Sequence, residues 1–174
     1  MHVLFVCTGN ICRSPTAERL AEMSATQLAI PDFVASSAGT RAVISQPIHP
    51  DAAIVLESLG GNASNFSARQ LTPRIASAAD LIVTMTRTHR DAVLELAPRQ
   101  LHRTFMLNEA AQLIADYDPR DVADLAALRP QLDTSEVMDV PDPIGRDPDY
   151  FAAVGTQIAD AIRPMIELCR RMAM

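Results

Sequence analysis

The sequence predicts a single α/β domain built on a parallel, doubly wound sheet. Three observations carry that reading. Short apolar runs alternate with segments of helical periodicity along the chain, the pattern left by repeated strand–helix crossovers. The first run, "HVLFV" (2–6), has no polar alternation after its histidine, as a strand buried on both faces requires. The 174 residues are enough to bury one core and count as one domain, 1–174, on length alone.

Each element has its own local reasons. After the first strand and a loop, "SPTAERLAEMSATQLA" (14–29) reads as a helix. Ser14 is its expected N-cap, Pro15 its first helical residue, and Glu18 part of its first turn. Leu20, Met23 and Leu28 supply its apolar face. "DFVASSAG" (32–39) is the second strand. "HPDAAIVLESLG" (49–60) is a helix with Gly60 as its C-terminal glycine. "DLIVTMT" (80–86) is the clearest strand, followed by a helix, "RTHRDAVLELAP" (87–98), closed by Pro98. "RTFML" (103–107) is strand-like and "NEAAQLIADY" (108–117) helical. Residues 118–148 hold five prolines and little periodicity beyond "VADLAAL", so they read as a long, partly ordered loop over one end of the sheet. "DYFAAVGTQIADAIRPMIELCRRM" (149–172) reads as a surface helix kinked at Pro164.

Composition narrows the function. The chain is 48% apolar with 21% charged residues, a soluble globular profile. A net charge of −6 argues against a general nucleic-acid or acidic-membrane binder, so any anion site must be built locally. All 15 basic residues are Arg, a compositional bias. The N-terminus lacks the pattern of a signal peptide, and no run reaches the roughly 18 apolar residues of a membrane span. An odd count of three cysteines fits a reducing compartment, and the cytoplasm is the expected location. His2, His49, His89 and His102 show no ligand spacing, so neither a metal nor a cofactor is expected. "TRTHR" (86–90) reads as a solvated turn, and Cys169 as structural.

The chemistry concentrates in "VCTGNICRSP" (6–15), at the carboxyl end of the first strand, where open α/β sheets bind ligands. A loop from Cys7 to Arg13 that leads into a helix N-terminus can curl into a nest of backbone N–H donors one phosphate wide. Thr8, Gly9, Asn10, Ile11 and Cys12 would form it, and Gly9 and Asn10 are the types that tolerate left-handed backbone. Arg13 adds a fork of donors that matches two phosphate oxygens. The same positive field favours the thiolate of Cys7, and the Ser14 hydroxyl lies close enough in sequence to donate to it. The predicted step is in-line attack on phosphorus, giving a cysteinyl-phosphate that water then hydrolyses, with no metal needed. A Cys-x5-Arg spacing alone arises by chance too often to carry weight. Between a strand and a helix start, with Gly9, Asn10 and Ser14 alongside, it is specific.

"VCTGNICRSPTAE" resembles the signature loop of the low-molecular-weight protein tyrosine phosphatases. The resemblance continues through "SSAGT" (36–40), "ARQLT" (68–72), "DLIVTMT" (80–86) and "PDPIG" (141–145), covering most of the chain in the family's order. It implies a four-stranded parallel sheet with helices on both faces. It also implies Cys7 as nucleophile, Arg13 as phosphate clamp, Ser14 as thiolate stabiliser, Asn10 as a brace of the loop and Ser37 as a supporting serine. The family's general acid, an Asp followed by Pro, maps to Asp142 and Pro143. Asp118, Asp139, Asp147 and Asp149 are its rivals nearby. Such a carboxyl group protonates the leaving oxygen and then activates water.

Departures from the family bear on substrate. No aromatic follows the Asp-Pro pair or stands in the variable loop 40–50, so Val43, Ile44 and Ile144 are the expected cleft residues. This resembles the bacterial branch that serves tyrosine kinases of polysaccharide export, and implies a tyrosine-phosphorylated protein as partner, with inorganic phosphate or another oxyanion in the loop. Phe66 stands where the family has a histidine, which puts one supporting hydrogen bond in question. The stretch 118–136 is longer than usual. Ile11 occupies a position where a phosphoarginine-specific branch has threonine. Its methyl groups would crowd a guanidinium and flank a flat ring, or it packs beneath the loop. Cys12 either pairs with Cys7 under oxidation, as the resemblance implies, or is a small buried residue. Two further functions share this loop. Phosphoarginine hydrolysis is one. Thiol-dependent arsenate reduction is the other, and it would need cysteines near residues 80–95, where this chain has Met85.

Overall fold

The first strand organises the sheet. In the computed structural model, which describes every residue except Thr134, β1 (His2–Cys7) lies between β2 (Val34–Gly39) and β3 (Leu81–Thr84). β4 (Thr104–Met106) flanks β3, giving the order β2-β1-β3-β4 with every pairing parallel. The side chains of β1 alternate between two cores. Val3, Phe5 and Cys7 enter the larger one, and Leu4 and Val6 the smaller. Burying a large apolar side chain contributes about 1.5–3 kcal/mol. β1 is therefore anchored from both faces, which is why its sequence shows no polar alternation.

Among the described residues, seven helices cover the sheet: α1 (Arg13–Gln27), α2 (Pro50–Ser58), α3 (Pro73–Ser77), α4 (Arg87–Leu96), α5 (Leu107–Tyr117), α6 (Val122–Leu128) and α7 (Pro148–Met172). The larger core packs α1, α2, α5, α6 and α7 on one face, and the smaller packs α3 and α4 on the other. The chain leaves β1 toward β2 on one side and later reaches β3 on the other. The end of β1 is thus the switch point at which such sheets open a crevice. Among the described residues, no helix is long and apolar enough to cross a membrane.

Several local expectations need correction. Helix α1 begins at Arg13 with Cys12 as its N-cap, and no side chain caps it. Ser14 is its second residue, Pro15 its third, and no acidic residue lies in its first turn. The reason is that the Ser14 hydroxyl is engaged by Cys7 Sγ at 3.0 Å and cannot serve the helix end. The described residues of 118–148 include more regular structure than their prolines suggested. Asp121 accepts the Asp124 N–H at 2.8 Å and starts α6, which buries Leu125, and a 3-10 turn follows at Arg129–Gln131. Helix α3 has Thr72 as its N-cap and is too short to show periodicity. Helix α7 is no mere surface helix: Phe151, Val154, Ile158, Ile162, Met165 and Cys169 form a buried stripe. Gly60 follows α2 with φ +89°, as a C-terminal glycine should.

Gly155 lets α7 approach α2. A Cβ placed there would lie 2.3 Å from Val55 Cγ1. Gly155→Ala should therefore destabilise the fold by about 1–3 kcal/mol in urea denaturation, despite alanine's better helix propensity. In a Val55→Ala background the same substitution should become neutral or stabilising.

Candidate active site

The loop after β1 is shaped from outside by the segment that follows β2. Thr40 N–H donates to Cys7 O (2.9 Å), Arg41 N–H to Thr8 O (3.0 Å), Val43 N–H to Gly9 O (2.9 Å) and His49 N–H to Ile11 O (2.7 Å). The carbonyls thus turn outward. The backbone N–H groups from Thr8 to Ser14 meet no acceptor among the described residues, leaving a donor-lined hollow at the start of α1. Gly39 permits the close approach, since a Cβ there would lie 2.4 Å from Thr8 O. The left-handed residue of the loop is Asn10, at φ +56°. Gly9 is not left-handed, and its position has room for a Cβ at ordinary contact distance from Ile11 and Val43.

Asn10 is fully buried and joins three segments. Its Nδ2 donates to Ser14 Oγ (2.9 Å) and Ser37 Oγ (2.8 Å), while its Oδ1 accepts the Arg69 N–H (2.9 Å). These bonds set the direction of the remaining protons. Ser14 Oγ accepts from Asn10, so its own proton is left for Cys7 Sγ. Ser37 in turn donates to Glu18 Oε2 at 2.5 Å. Burial raises the Glu18 pKa above the usual carboxylate value, and the Ser37 bond opposes that rise.

Arg13 is buried, and its guanidinium points across the mouth of the loop. Nη1 donates to Val140 O (3.0 Å) and Nη2 to Asp142 Oδ2 (2.8 Å). The Asp142 side chain is 51% exposed. Its rivals are engaged elsewhere or lie outside this contact. Asp118 ends α5 and pairs with Arg171, Asp139 accepts the Arg87 N–H, Asp147 caps α7, and Asp149 sits in the first turn of α7. The segment bearing Asp142 is strapped in place by Val140 N–H on Met85 O (2.8 Å) and by Asn108 Nδ2 on Met138 O (2.7 Å). Among the described residues, no group of three or more His, Cys, Asp or Glu side chains is placed to hold a metal ion.

The family model for low molecular weight phosphotyrosine protein phosphatases matches residues 2–172. The chain belongs to that family. Wzb of Salmonella typhi, a low molecular weight protein-tyrosine-phosphatase, is 30% identical over 161 residues, 92% of this chain and 89% of its own. Two solved structures share the fold across nearly the whole length. The low molecular weight protein tyrosine phosphatase of T. tengcongensis has a TM-score of 0.78 at 28% identity, covering 96% of this chain and 98% of that one. A Cys-to-Ser mutant of the YwlE arginine phosphatase, with a phosphorylated active site serine, has a TM-score of 0.77 at 25% identity, covering 96% and 94%.

In this phosphatase fold the sequence-predicted residues fall at one place. Cys7, Arg13, Ser14, Asn10, Ser37 and Asp142 form the connected set described above. Val43, Ile44 and Ile144 are about half exposed; Val43 is tied to Gly9, and Ile144 N–H donates to Asp142 Oδ1 (3.2 Å). Ile11 packs partly on the larger core beside Gly9. Cys12 is buried and its pKa is pushed up to about 12, by burial first and Cys7 second; Cys169, on the buried face of α7, goes up to about 11 by burial. Phe66 lies against the Arg19 guanidinium, 5.7 Å from its carbon to the ring centre. The Ser37 bond goes to Glu18, a residue whose sequence position on α1 gave no sign of this contact.

The clearest miss is His89. "TRTHR" is no solvated turn: Thr86 caps α4, and His89 is 5% exposed, with Nε2 2.8 Å from Thr8 Oγ1 and Nδ1 2.9 Å from Thr86 Oγ1. Only the sequence distance of 81 residues hid it. Burial, aided by Arg13, pushes its imidazole down to about 4, against the raising influence of Asp139 and Asp142. A depressed histidine favours folding fully above its unfolded value of 6.5, and that contribution is lost as pH falls through about 4. Stability measured by urea denaturation should therefore fall between pH 6.5 and 4 more steeply in the wild type than in His89→Gln.

Proposed function

We propose that this chain is a metal-independent phosphatase of the cytoplasm that hydrolyses phosphotyrosine in proteins through a cysteinyl-phosphate. The observation that carries the reading is the convergence of three groups on one hollow: the Cys7 thiol with its Ser14 donor, the unengaged N–H groups of residues 8–14, and the Arg13–Asp142 pair across the mouth. A phosphate monoester in the hollow would take Arg13 from Asp142, because a dianion offers the guanidinium fork two oxygens. The exchange frees the carboxyl to carry the proton that the leaving group needs. Cys7 Sγ attacks phosphorus in line, the bridging P–O bond breaks, and Asp142 protonates the departing phenolate oxygen. Asp142, now a carboxylate, takes a proton from water as its oxygen attacks the phosphorus. The S–P bond then breaks and the thiolate leaves, stabilised by Ser14. Through both steps the equatorial oxygens are held by Arg13 and the backbone N–H groups.

The phosphotyrosine assignment follows the bacterial relatives named as protein-tyrosine-phosphatases, and the phosphorylated serine of the mutant arginine phosphatase supports the covalent step. A tyrosine-phosphorylated protein, such as a bacterial tyrosine kinase, is the proposed partner. The aliphatic cleft of Val43, Ile44 and Ile144 suits a flat ring. The arginine phosphatase neighbour makes phosphoarginine the second reading, and Ile11 weighs against it.

Phosphate release from a phosphotyrosine peptide in EDTA, with the thiol kept reduced, tests the reading directly. Cys7→Ser should abolish turnover while still binding oxyanions; a residual rate above about one per cent would exclude nucleophilic catalysis by this thiol. Asp142→Ala should lower kcat by about 10²–10⁴ for esters with poor leaving groups, and much less for good ones. Equal losses for both would place the acid elsewhere. Ile11→Thr should raise the ratio of phosphoarginine to phosphotyrosine turnover by about tenfold or more. An unchanged ratio would remove Ile11 from the specificity argument.

A further inference from the structure

Thr8 and His89 form a polar pair that the mechanism above leaves unused. The ring of His89 bridges two threonine hydroxyls, Thr8 Oγ1 at Nε2 and Thr86 Oγ1 at Nδ1. The direction of the protons follows from Thr86. As the N-cap of α4, its Oγ1 already accepts the His89 backbone N–H at 3.2 Å. Its own O–H proton is available to donate, and Nδ1 is the acceptor within reach. A neutral imidazole whose Nδ1 accepts carries its proton on Nε2, a tautomer assigned here from the network. Nε2–H therefore donates to Thr8 Oγ1, and the proton of the Thr8 hydroxyl itself is left over. No acceptor for it exists among the described residues.

Thr8 is also held at both ends. It follows Cys7 directly, and its carbonyl is fixed by the Arg41 N–H. An oriented donor with no protein partner thus belongs to the loop whose backbone N–H groups line the hollow. A hydroxyl left free to rotate would spend part of its time turned toward the imidazole. With Nε2–H already occupying a lone pair, that orientation is closed.

We propose that the Thr8 hydroxyl donates a hydrogen bond to the bound phosphoryl group, and that His89 is the positioning residue that turns it there. The inference rests on the loop binding phosphate as argued above. It makes Thr8 a side-chain donor to the phosphoryl oxygens alongside the backbone N–H groups and Arg13. The neutrality of His89 matters to this arrangement. A protonated ring could not accept from Thr86, and it would place a cation beside Arg13.

The test is the dissociation constant of inorganic phosphate, measured calorimetrically near neutral pH with the thiol reduced, which needs no turnover. Thr8→Val removes the hydroxyl at constant shape and should weaken phosphate about ten- to hundredfold, the range for a hydrogen bond to a charged group. Thr8→Ser should stay near the wild type. His89→Leu should weaken phosphate by the same factor as Thr8→Val, and His89→Gln, which keeps an N–H donor, by less. The double variant Thr8→Val/His89→Leu should bind no more weakly than either single one, because both delete the same bond. Multiplying effects would mean that His89 acts through general support of the loop, and would overturn its positioning role. Should His89→Leu fail to fold, the Thr8 pair still decides. Thr8→Val binding phosphate like the wild type would overturn the inference while leaving the phosphatase reading intact. A wild-type protein that binds no phosphate would overturn both.

Discussion

The buried carboxamide of Asn10 ties the loop to β2 and to the segment before α3, and it holds the Ser14 hydroxyl that contacts Cys7. Its left-handed backbone turns the chain inward at the one point where a larger β-branched residue would be strained. Its amide satisfies three partners at once, so the buried carboxamide is itself fully compensated. Loss of one of its bonds would free the serine that faces the sulfur, the serine that faces Glu18, or the Arg69 N–H. The rest of the site inherits its geometry from this residue.

Around that brace, opposite requirements are met by different parts of the chain. The hollow needs its N–H groups unengaged, which is costly in a folded interior unless their carbonyls are satisfied elsewhere. Residues 40–49 meet this by taking the carbonyls from outside. Arg13 is buried and positive at the mouth, and Val140 O together with Asp142 receives it. In the proposed reaction a phosphate entering the loop would replace existing partners of the guanidinium and would not have to desolvate it. The same substitution would release the carboxyl when a proton is needed.

The fold was largely legible because its signals are local. The unbroken apolar run of β1, the strand "LIVT" and the glycine after α2 each reflect one element's own burial or backbone geometry. The readings that failed were those in which a tertiary contact overrode a local preference. Ser14 has the chemistry of an N-cap, but the sulfur of Cys7 takes its hydroxyl. The prolines of 118–148 signal irregular chain, yet Asp121 is enough to start α6 once Leu125 has a core to enter. A buried stripe on α7 and a solvated one look alike until a partner surface exists.

By itself the sequence determined the strand–loop–helix unit and the residues it carries, Cys7, Asn10, Arg13 and Ser14, because their spacing within one loop leaves the chain few ways to arrange them. The Asp-Pro pair that the family resemblance singled out also pointed to Asp142, which the fold places against Arg13. Only the tertiary structure decided that Glu18 receives Ser37, that residues 40–49 hold the loop's carbonyls, and that His89 meets Thr8 from 81 residues away. The physical reason is range. Backbone conformation and capping are fixed by neighbours in sequence, whereas the partner of a buried polar group is fixed by whichever element the sheet order brings against it.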